Sequence, residues 1–580
     1  MRVLLLHPED QLPAPRPGMA WDLVVDFGRA PAATYERWSQ ETGASVISLY
    51  DFGSGFEDGQ RIRDLLQLGL GQWVDSLGVD WWDVLSLMIE PELRQLMRIG
   101  RLAKALDAGC ELFSSRSTGL VKALQTLLGA DHVSLETGIR PVMRWARHYR
   151  DAFFRLDTAQ IRQVFQDKFD REHAVRRRFA RNRRVSGDPV VLLPSAYVNV
   201  SRTAASYAGL LPGQKFLMVY ARSSARLKTL PPNVATASLD PYFVTADGPE
   251  AAALGKDWES LKSRLVAEAE EYSAANAIGV LDGIPGLLRW GIAVRDAWNQ
   301  VFKTETIVGC LCADDSNPYT RLPLILAKNR GIPTVACHHG ALDSKMAVKV
   351  SHADTYLAKG EMERDYLLRS CGVDENKVVL GGQGLPASPG TAKAKVQGRK
   401  NWLVFFTEPY ETTGWRSDEV YRDLLPKLWA LAQSSGLKLV FKLHPFESVK
   451  GHRRILRKYL PQQEAEIGVI AGAPSAQLWS NTGCALTVQS TVALQCASLG
   501  IPVFLCHWLR DSTSGYVEQF SKFGVGRLLE TADRLREIPR LLEQNTRTVQ
   551  MRPALWETMD SATLRGLLLP TGSLSRAIKA

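Results

Sequence analysis

Residues 401–445, NWLVFFTEPYETTGWRSDEVYRDLLPKLWALAQSSGLKLVFKLHP, decide the fold of this chain. Two apolar runs, WLVFF and LKLVFK, flank a segment whose leucines recur at helical spacing. These leucines are Leu424, Leu425, Leu428 and Leu431. Short apolar runs on either side of a 3.6-residue period predict a strand, a helix and a second strand. Because a helix connects the strands, they are predicted to be parallel neighbours, and the second ends at His444-Pro445.

The same alternation extends in both directions. After residue 400 the sequence predicts strands at 401–409, 437–445, 467–472, 484–490, 501–506 and 525–530. An earlier series has strands at 306–315, 332–340, 353–360 and 377–384, again separated by helical segments. Strands that alternate with helices in this way indicate doubly wound parallel sheets. Residues 386–400, PASPGTAKAKVQGRK, are small, polar and basic and predict a linker between two such domains.

The amino-terminal part adds strands and a long helical stretch. Strands are predicted at 2–6, 21–28, 44–50, 189–197 and 215–221, a loop at 229–247, and helix over roughly 250–300. Residues 60–180 show helical periodicity, and Trp73, Trp81 and Trp82 within them are predicted to be core residues.

The predicted fold class is therefore α/β, with two Rossmann-like doubly wound domains. The predicted domains are an N-terminal one over 1–385 with a helical insertion around 60–180, the linker 386–400, a nucleotide-donor domain over 401–560 and a tail over 561–580.

Composition limits the class of partner. The formal net charge of +10 favours anionic partners such as nucleotides, phosphorylated lipids or an acidic membrane face. Six arginines lie in AVRRRFARNRR, residues 174–184, which is either a solvated helix face or a docking patch for an anionic surface. No nucleic-acid-binding module accompanies the run, so nucleic acid is not expected as a partner.

Targeting signals and metal motifs are not evident. The eight cysteines form no CxxC pair and are predicted to be small core residues in a reducing compartment. The apolar run at the amino terminus is too short for a signal peptide, and no run reaches the roughly 18 residues that span a bilayer. We expect a cytoplasmic protein, with peripheral contact to the inner membrane left open.

Polar residues follow the predicted strands at their carboxyl ends, where ligands bind in open α/β sheets. In the first series these residues are Asp314, Asp315, His338, His339 and Gly340. In the second they are Thr407, Glu408, His444, Gln489, Ser490, Thr491 and His507. Together they predict one cleft lined from both domains.

Several of these residues suit a phosphate. Ser490 or Thr491 is placed to cap the helix of 492–499, where backbone N–H groups favour an anion, although an ordinary cap explains the pair equally well. His444 can donate a hydrogen bond to a diphosphate, where cationic character would be favoured, and Pro445 fixes its backbone. We assign donor phosphate or nucleotide contacts to His444, Ser490, Thr491, Gln495, Thr407, Glu408 and Lys442.

Two groups of motifs carry a family resemblance. HHGALD, HADTYLAKGEMERDYLLRSCGV and KVVLGGQG resemble the end of the first domain in GT-B-fold enzymes that build bacterial surface polysaccharides. FKLHP and QSTVALQCASLGIPVF resemble the later His-Pro and Ser-Thr motifs of capsule glycosyltransferases, sialyl- and Kdo-transferases, and the related polyol-phosphate polymerases. The resemblance covers about 305–530.

The resemblance implies a GT-B fold, donor-phosphate contacts at His444 and Ser490 or Thr491, and a position near the interdomain cleft for Gly360 and Glu361. Many GT-B enzymes carry a glutamate in the helix after the Ser-Thr pair. Here that place holds Gln495, which leaves the identity of the donor open.

An inverting transfer needs a base that takes the proton of the acceptor hydroxyl. The candidates are Asp314, Asp315, His338 and His339, and one member of each pair can instead be buried or cap a helix. No metal is expected, because the chain has no Asp-x-Asp motif in this region and a helix terminus with basic residues can neutralise the leaving group.

The leading hypothesis is a glycosyltransferase that uses a nucleotide-sugar donor, CMP- or UDP-linked, to extend a cell-surface or capsular polysaccharide. No cofactor is expected beyond this substrate, and the acceptor would be a glycan or a lipid-linked glycan. Three alternatives stay open: a CDP-polyol phosphotransferase of the teichoic-acid type, a nucleotide-sugar epimerase, and a non-catalytic scaffold subunit of the same fold.

Overall fold

The structure is a computed structural model that describes residues 1–8, 10–13, 20–53, 55–135, 188–243, 249–340, 352–383, 400–510, 516–544 and 555–569. The chain divides into two compact units. The first comprises residues 1–58, 92–161 and 388–551, and the second comprises residues 59–91, 162–387 and 552–580. Among the described strands, the first unit holds a five-stranded and a six-stranded parallel sheet, and the second holds a seven-stranded parallel sheet.

The five-stranded sheet has the strand order β3-β2-β1-β4-β5. Its strands are β1 (Arg2–Leu6), β2 (Leu23–Asp26), β3 (Ser45–Ser48), β4 (Glu111–Ser114) and β5 (His132–Ser134). The helices Ala32–Thr42 and Gly119–Leu128 belong to the same unit, whereas residues 59–67 of the helix Gly55–Gln67 and residues 81–91 of the helix Trp81–Ala105 are counted with the second unit. The helical insertion predicted around 60–180 contains the strands β4 and β5 in addition to helices in its described part, and residues 136–180 lie outside the described residues. These strands have four and three residues, too few to show a period of two.

The seven-stranded sheet has the order β12-β11-β10-β9-β6-β7-β8. Its strands are β6 (Val190–Ser195), β7 (Phe216–Tyr220), β8 (Val234–Ser238), β9 (Ile307–Cys312), β10 (Thr334–Ala336), β11 (Thr355–Ala358) and β12 (Val378–Leu380). Its helices are Val198–Gly209, Pro249–Glu268, Glu270–Ala277, Ile284–Thr304, Pro318–Asn329, Glu361–Arg369 and Ser561–Leu568. Residues 1–385, predicted as one domain, thus contain two separate sheets.

Two local predictions in this unit need correction. The segment predicted as a loop over 229–247 contains the edge strand β8, whose residues VATAS are mostly half-buried or exposed. The start of the predicted tail 561–580 is a helix, in which Leu564 and Leu568 are buried in the same core as Val191 of β6.

The six-stranded sheet contains all six strands that the second series predicts, in the order β15-β14-β13-β16-β17-β18. They are β13 (Trp402–Phe406), β14 (Lys438–Lys442), β15 (Gly468–Ile470), β16 (Thr482–Thr487), β17 (Val503–Cys506) and β18 (Arg527–Leu529). Its helices are Ser417–Ser434, Val449–Tyr459, Ala476–Asn481, Val492–Ser498, Tyr516–Lys522 and Ile538–Gln544. Counted from the first strand in the chain, this is the 3-2-1-4-5-6 order of a Rossmann sheet.

The remaining sequence predictions fall partly within the described residues. Trp73, Trp81 and Trp82 are buried core residues, as predicted, and all eight cysteines are buried. The arginine run 174–184 and the linker 386–399 lie outside the described residues. In the described part of the chain, no one helix combines the length and apolarity of a membrane span; the bent pair Glu270–Ala277 and Leu281–Thr304 meets the two criteria together.

A buried ion pair joins the two sheets of the first unit. The Arg416 guanidinium donates to both carboxylate oxygens of Asp26, at 2.7 and 2.9 Å, and Asp26 is fully buried at the end of β2. Two further guanidinium hydrogens go to the backbone carbonyls of His7 and Asp10, both at 2.6 Å. Both carboxylate oxygens and four of the five guanidinium N–H groups therefore take part in these hydrogen bonds, which offset the cost of burying the pair.

The backbone continues this junction on either side of the ion pair. The Arg29 N–H donates to the Gly414 carbonyl at 2.8 Å, and the Arg416 N–H donates to the Arg29 carbonyl at 2.7 Å. Gly414 has a φ of 83°, and a Cβ at this position would lie 2.3 Å from the Tyr50 hydroxyl. Glycine is therefore required where the strand end and residue 414 approach.

Arg416→Met is expected to destabilise the first unit by about 3–5 kcal/mol, because it leaves the Asp26 carboxylate buried without its countercharge. Urea denaturation measures this change. The control is Arg422→Met on the same helix, which breaks an exposed pair with Glu419 and should cost at most about 1 kcal/mol. Equal losses in the two variants, or no recovery when Asp26→Leu is added to Arg416→Met, would contradict this role for the pair.

Candidate functional site

The polar strand-end residues lie at, or beside, the points where the strand orders of the six- and seven-stranded sheets reverse. In the seven-stranded sheet the reversal lies between β6 and β9, and in the six-stranded sheet between β13 and β16. Ligands of doubly wound sheets bind beyond the carboxyl ends of the strands at this switch point. The residues that follow these strands and their neighbours are therefore the candidates for catalysis or ligand binding in each unit.

Asp314, Tyr197 and His339 form one cluster at the switch point of the seven-stranded sheet. The Tyr197 hydroxyl, just after β6, donates to Asp314 Oδ2, just after β9. His339, after β10, has its Nδ1 3.4 Å from the Tyr197 oxygen and 3.9 Å from Asp314 Oδ2. Asp314 is fully buried, whereas the His339 side chain keeps 18% of its surface exposed.

The direction of the Tyr197 hydroxyl hydrogen determines which nitrogen of His339 carries the proton. Since Tyr197 gives its only hydrogen to Asp314, its oxygen can act only as the acceptor of a proton on His339 Nδ1. Nε2 is then the unprotonated nitrogen. A buried carboxylate and a hydroxyl thus hold a partly exposed imidazole as a base, the arrangement that general base catalysis uses.

The contacts of His338 stabilise the turn that carries both histidines. It is 5% exposed, and its Nδ1 lies against the backbone of Gly340, 3.3 Å from the nitrogen and 3.1 Å from the oxygen. The ammonium of Lys359 donates to the His338 carbonyl at 2.7 Å and to Glu363 at 2.8 Å. Lys359 and Glu363 are both buried, so this ion pair supports the His-His turn from beneath.

Glu361, the acid predicted from the sequence to lie near the cleft, pairs with a different cation from Glu363. Glu361 begins the helix Glu361–Arg369, and its carboxylate accepts a hydrogen bond of 3.1 Å from Arg364. Glu363, two residues later, was missed. The spacing of four from Lys359 within AKGEMERD was the available signal.

Asp315 points into a different network from Asp314. Its Oδ2 lies 3.8 Å from Nδ1 of His352, whose Nε2 contacts Asp83 at 2.5 Å. Arg321 donates to the carbonyls of Asp315 and Asp83. Burial raises the pKa of Asp83, but the charges of His352 and Arg321 outweigh it and the pKa is lowered. This buried network ties β9 to the start of the helix Trp81–Ala105, and it separates Asp315 from the catalytic candidates.

One set of side chains in the described residues has donor types suited to a metal ion. Ligand atoms of Asp314, His338 and His339 lie within 4.8 Å of one another. Zinc takes imidazole and carboxylate ligands at about 2.0–2.2 Å, which brings ligand atoms to roughly 3.3 Å from one another. With ligand atoms at most 4.8 Å apart, the set has the ligand types and the approximate spacing of a zinc site.

In the first unit, His444 sits on a turn built by Glu447. The His444 N–H donates to Glu447 Oε2 and to Thr407 Oγ1, both at 3.1 Å, and the Thr407 hydroxyl donates to the same Oε2. The Tyr421 hydroxyl donates to the other carboxylate oxygen at 3.2 Å. Burial raises the pKa of Glu447, while hydrogen bonds from Thr407, His444 and Tyr421 oppose the rise. His444 and Thr407 were predicted from the sequence, whereas Glu447, which connects them, was not.

The His444 ring is held as a neutral donor. Its Nδ1 accepts the Phe446 N–H at 3.3 Å, so the ring proton is assigned to Nε2. Burial, with a smaller contribution from the charge of Lys442, lowers the pKa of His444 to about 4. Without a ligand, the turn therefore favours neutral His444 and not the cationic form that was expected from the sequence.

Lys442 and Glu408 serve the backbone around this turn. The Lys442 ammonium is buried and donates to the Leu443 carbonyl at 2.8 Å, and burial lowers its pKa against the opposing charge of Glu447. Glu408, after β13, accepts the Gln489 N–H, after β16, at 2.9 Å. That contact bridges the switch point of the six-stranded sheet.

Ser490 and Thr491 lead into the helix Val492–Ser498. The Ser490 hydroxyl accepts the Val492 N–H at 3.3 Å, so Ser490 takes part in the predicted cap, whereas Thr491 makes no capping bond through its side chain. Gln495 is half-buried in this helix. His507, after β17, contacts Glu530 through Nδ1 at 2.5 Å and Glu518 through Nε2 at 2.8 Å.

The His-Pro turn occurs twice in the first unit. In LLHPED, after β1, the His7 N–H donates to Asp10 Oδ2 at 3.1 Å and the Asp10 N–H donates to the His7 carbonyl at 2.9 Å. The Ser115 hydroxyl, from the neighbouring strand end, also donates to Asp10 Oδ2. Glu447 has the same three contacts in LHPFES, although His7 is buried. The acid therefore fixes the turn whether or not the histidine is accessible.

Solved structures with distant similarity to this chain are known. No protein-family model matches the chain, and no curated protein matches it. A Listeria monocytogenes protein assigned as a UDP-N-acetylglucosamine 2-epimerase is 12% identical, covers 66% of this chain and 96% of its own, and has a TM-score of 0.44. A Rickettsia africae glycosyltransferase is 11% identical, with coverage of 68% and 97% and a TM-score of 0.34. The wall teichoic acid polymerase TagF is 10% identical, with coverage of 75% and 98% and a TM-score of 0.38.

At these identities the likeness concerns the fold alone. The reversed strand orders of the six- and seven-stranded sheets establish the Rossmann-like α/β class directly. The predicted pair of doubly wound domains is thereby confirmed.

Glu447→Gln is expected to weaken the His444 turn without unfolding the unit, because the amide keeps one acceptor oxygen but cannot serve all three donors. We expect a loss of about 1–3 kcal/mol in urea denaturation and a changed His444 ring environment by NMR. The matched control is Asp10→Asn in the equivalent turn, which should lower stability similarly and leave the His444 signals in place. Unchanged His444 signals in Glu447→Gln would contradict the role given to Glu447.

The pKa of His444 makes stability depend on pH. The folded pKa of about 4 lies below the ordinary value of 6.5, so the unfolded chain takes up the proton first as the pH falls. This histidine therefore contributes stability above pH 6.5 that is lost progressively towards pH 4. His444→Gln should flatten the fall in stability over this interval, measured as the difference in melting temperature between wild type and variant at each pH. Parallel curves would place the His444 pKa near its ordinary value.

Proposed function

We propose that this protein is a glycosyltransferase that moves a sugar from a nucleotide-activated donor to a cell-surface or capsular polysaccharide. The observation that carries the proposal is the cluster of Asp314, Tyr197 and His339 at the switch point of the seven-stranded sheet. It supplies an imidazole whose Nδ1 proton is held by Tyr197 and whose charge, once protonated, is compensated by a buried carboxylate. Activating an acceptor hydroxyl requires such a base.

The chemistry assigned to this cluster is one proton transfer coupled to one displacement. His339 Nε2 takes the proton of the acceptor hydroxyl while that oxygen forms a bond to the anomeric carbon of the donor. The bond from this carbon to the phosphate oxygen breaks, and the nucleotide leaves with the electron pair. Asp314 stabilises the imidazolium that results, and Tyr197 keeps the ring in position.

The donor contact is assigned to His444 of the first unit. A neutral Nε2–H donates a directional hydrogen bond to a phosphate oxygen, and the turn fixed by Glu447 and Thr407 holds the ring in place. Ser490 and the backbone at the start of the following helix are assigned to the same phosphates. Glu408, which spans the switch point to Gln489, shapes the edge of this site.

The substrate class rests on the motifs of the sequence. The His-His-Gly, His-Pro and Ser-Thr motifs resemble those of enzymes that assemble surface polysaccharides, which supports a glycan or lipid-linked glycan as acceptor. We place the reaction in the cytoplasm, where nucleotide sugars are made. CMP- and UDP-linked sugars are the donors to test first.

His339→Asn is expected to lower kcat by roughly 10²–10⁴-fold while donor affinity stays the same, because the base is lost and the donor contacts remain.

His444→Ala is expected to weaken donor binding, and His444→Gln to retain much of it, since the glutamine amide supplies an N–H near the position of Nε2. The donor is first identified by a thermal-shift screen of CMP, CDP, UDP, GDP and their sugars, where a bound ligand raises the melting temperature. Glycan growth is then measured with that donor.

Product analysis separates the alternatives. A changed nucleotide sugar without acceptor would identify an epimerase, and a transferred polyol phosphate would identify a phosphotransferase. A nucleotide that binds with no product of either kind would favour a scaffold subunit. Full transferase activity in His339→Asn would overturn the assignment of the base.

A further inference from the structure

The helix Val449–Tyr459, which follows the His444 turn, has an exposed face that the proposed reaction does not use. Its sequence, VKGHRRILRKY, holds five cations and no acid. Ser448 caps the helix by accepting the Gly451 N–H at 3.0 Å, so the basic run is fixed as a helix and not as a loose segment. The cations are Lys450, Arg453, Arg454, Arg457 and Lys458.

The opposite face of this helix is anchored in the core. Leu456 and His452 are buried, and Ile455 and Tyr459 pack against the core of the six-stranded sheet. The side chains of Arg457 and Lys458 remain 67% and 53% exposed. Glu464 contacts Arg453 and Arg457, and Asp418 contacts Lys458. The helix itself contributes five cations and no acid, so its own charge is positive.

Two apolar side chains lie at the start of this helix. Phe446 is 70% exposed, more than any other large apolar side chain among the described residues, and Val449 is 40% exposed. Exposing an aromatic ring to water is unfavourable, and here the turn after Pro445 presents it beside the basic face. A cationic face bordered by insertable apolar groups suits the boundary between headgroups and acyl chains of an anionic bilayer.

We propose that Phe446, Val449 and the exposed cations of the helix Val449–Tyr459 form a docking surface for an anionic membrane. The cations bind lipid phosphates, and Phe446 and Val449 enter the interface. A bilayer is favoured over a nucleic acid because the apolar groups include an aliphatic side chain, which offers neither stacking nor hydrogen bonds to bases. The cations lie on the outer face of the helix and concern no donor contact, whereas Phe446 belongs to the His444 turn, where the two ring centroids are 5.0 Å apart. The arginine variants therefore test the docking surface independently of the proposed reaction.

The test is co-sedimentation of the full-length protein with vesicles of phosphatidylcholine alone and of phosphatidylcholine mixed with phosphatidylglycerol. Wild type should bind the anionic vesicles and not the neutral ones, and added salt should weaken binding. The double variant Arg454→Gln, Arg457→Gln should bind roughly tenfold to thirtyfold more weakly. Phe446→Ser should also bind more weakly but keep the salt dependence.

The matched control is Arg534→Gln with Arg536→Gln, which removes the same charge from another exposed segment of the same unit and should bind like wild type. Donor binding by Arg454→Gln, Arg457→Gln should equal that of wild type, so loss of membrane binding is distinguishable from failure of the donor site. Equal binding of all variants, or equal binding to neutral vesicles, would overturn the proposal. Binding of duplex DNA that depends on the two arginines and ignores Phe446 would assign the face to nucleic acid instead.

Discussion

Backbone N–H groups at the carboxyl ends of buried parallel strands need acceptors once the chain leaves the sheet, and in this protein acidic side chains supply them. An unpaired N–H at such a buried position costs about as much as a lost hydrogen bond. The pairs are Asp10 with His7, Asp26 with Gly28, Asp314 with Ser316, Glu408 with Gln489 and Glu447 with His444, at 2.8–3.1 Å. The acids at the rim of each sheet are thus first of all structural, and chemistry is added where one of them also meets a partly exposed base.

This constraint explains how far the candidate site could be predicted from sequence. Polar residues after apolar runs are visible in the sequence, so the His-His and Asp-Asp pairs were found. Their members could not be separated, because what separates them is distant in the chain: Tyr197 lies 117 residues before Asp314, and Asp83 lies 269 residues before His352. Glu447 was missed for the opposite reason. It lies three residues from His444, and the sequence alone does not indicate that its carboxylate accepts a hydrogen bond from the backbone of the turn.

The fold shows the same division between local and distant information. All six strands of the six-stranded sheet were predicted, because runs such as WLVFF and KLVFK are bounded by polar or glycine-rich segments. The third sheet was not predicted, since it depends on ELFS of β4 pairing with β1 across more than a hundred residues. Its junction with the six-stranded sheet includes the buried side chain of Arg416, in a segment that predicts only the start of a helix. A short stretch of sequence is therefore enough to predict a strand in this protein. The number of sheets depends on pairing between strands that are far apart in the chain, which a short stretch does not reveal.

The placement of charge follows from the same balance between burial and hydration. Within the stretch from Lys442 to Tyr459, the buried lysine has a lowered pKa and the half-buried His444 stays neutral, while the cations that remain hydrated lie on the outer face of the following helix. A buried donor must bind its partner without the desolvation cost of a full charge, so a neutral imidazole suits a fixed phosphate contact. A surface that attracts an anionic partner from solution acts through water and requires hydrated charge instead. Two features that both suggest an anion in the sequence, His444 and the cations of the helix Val449–Tyr459, therefore differ in charge and in hydration.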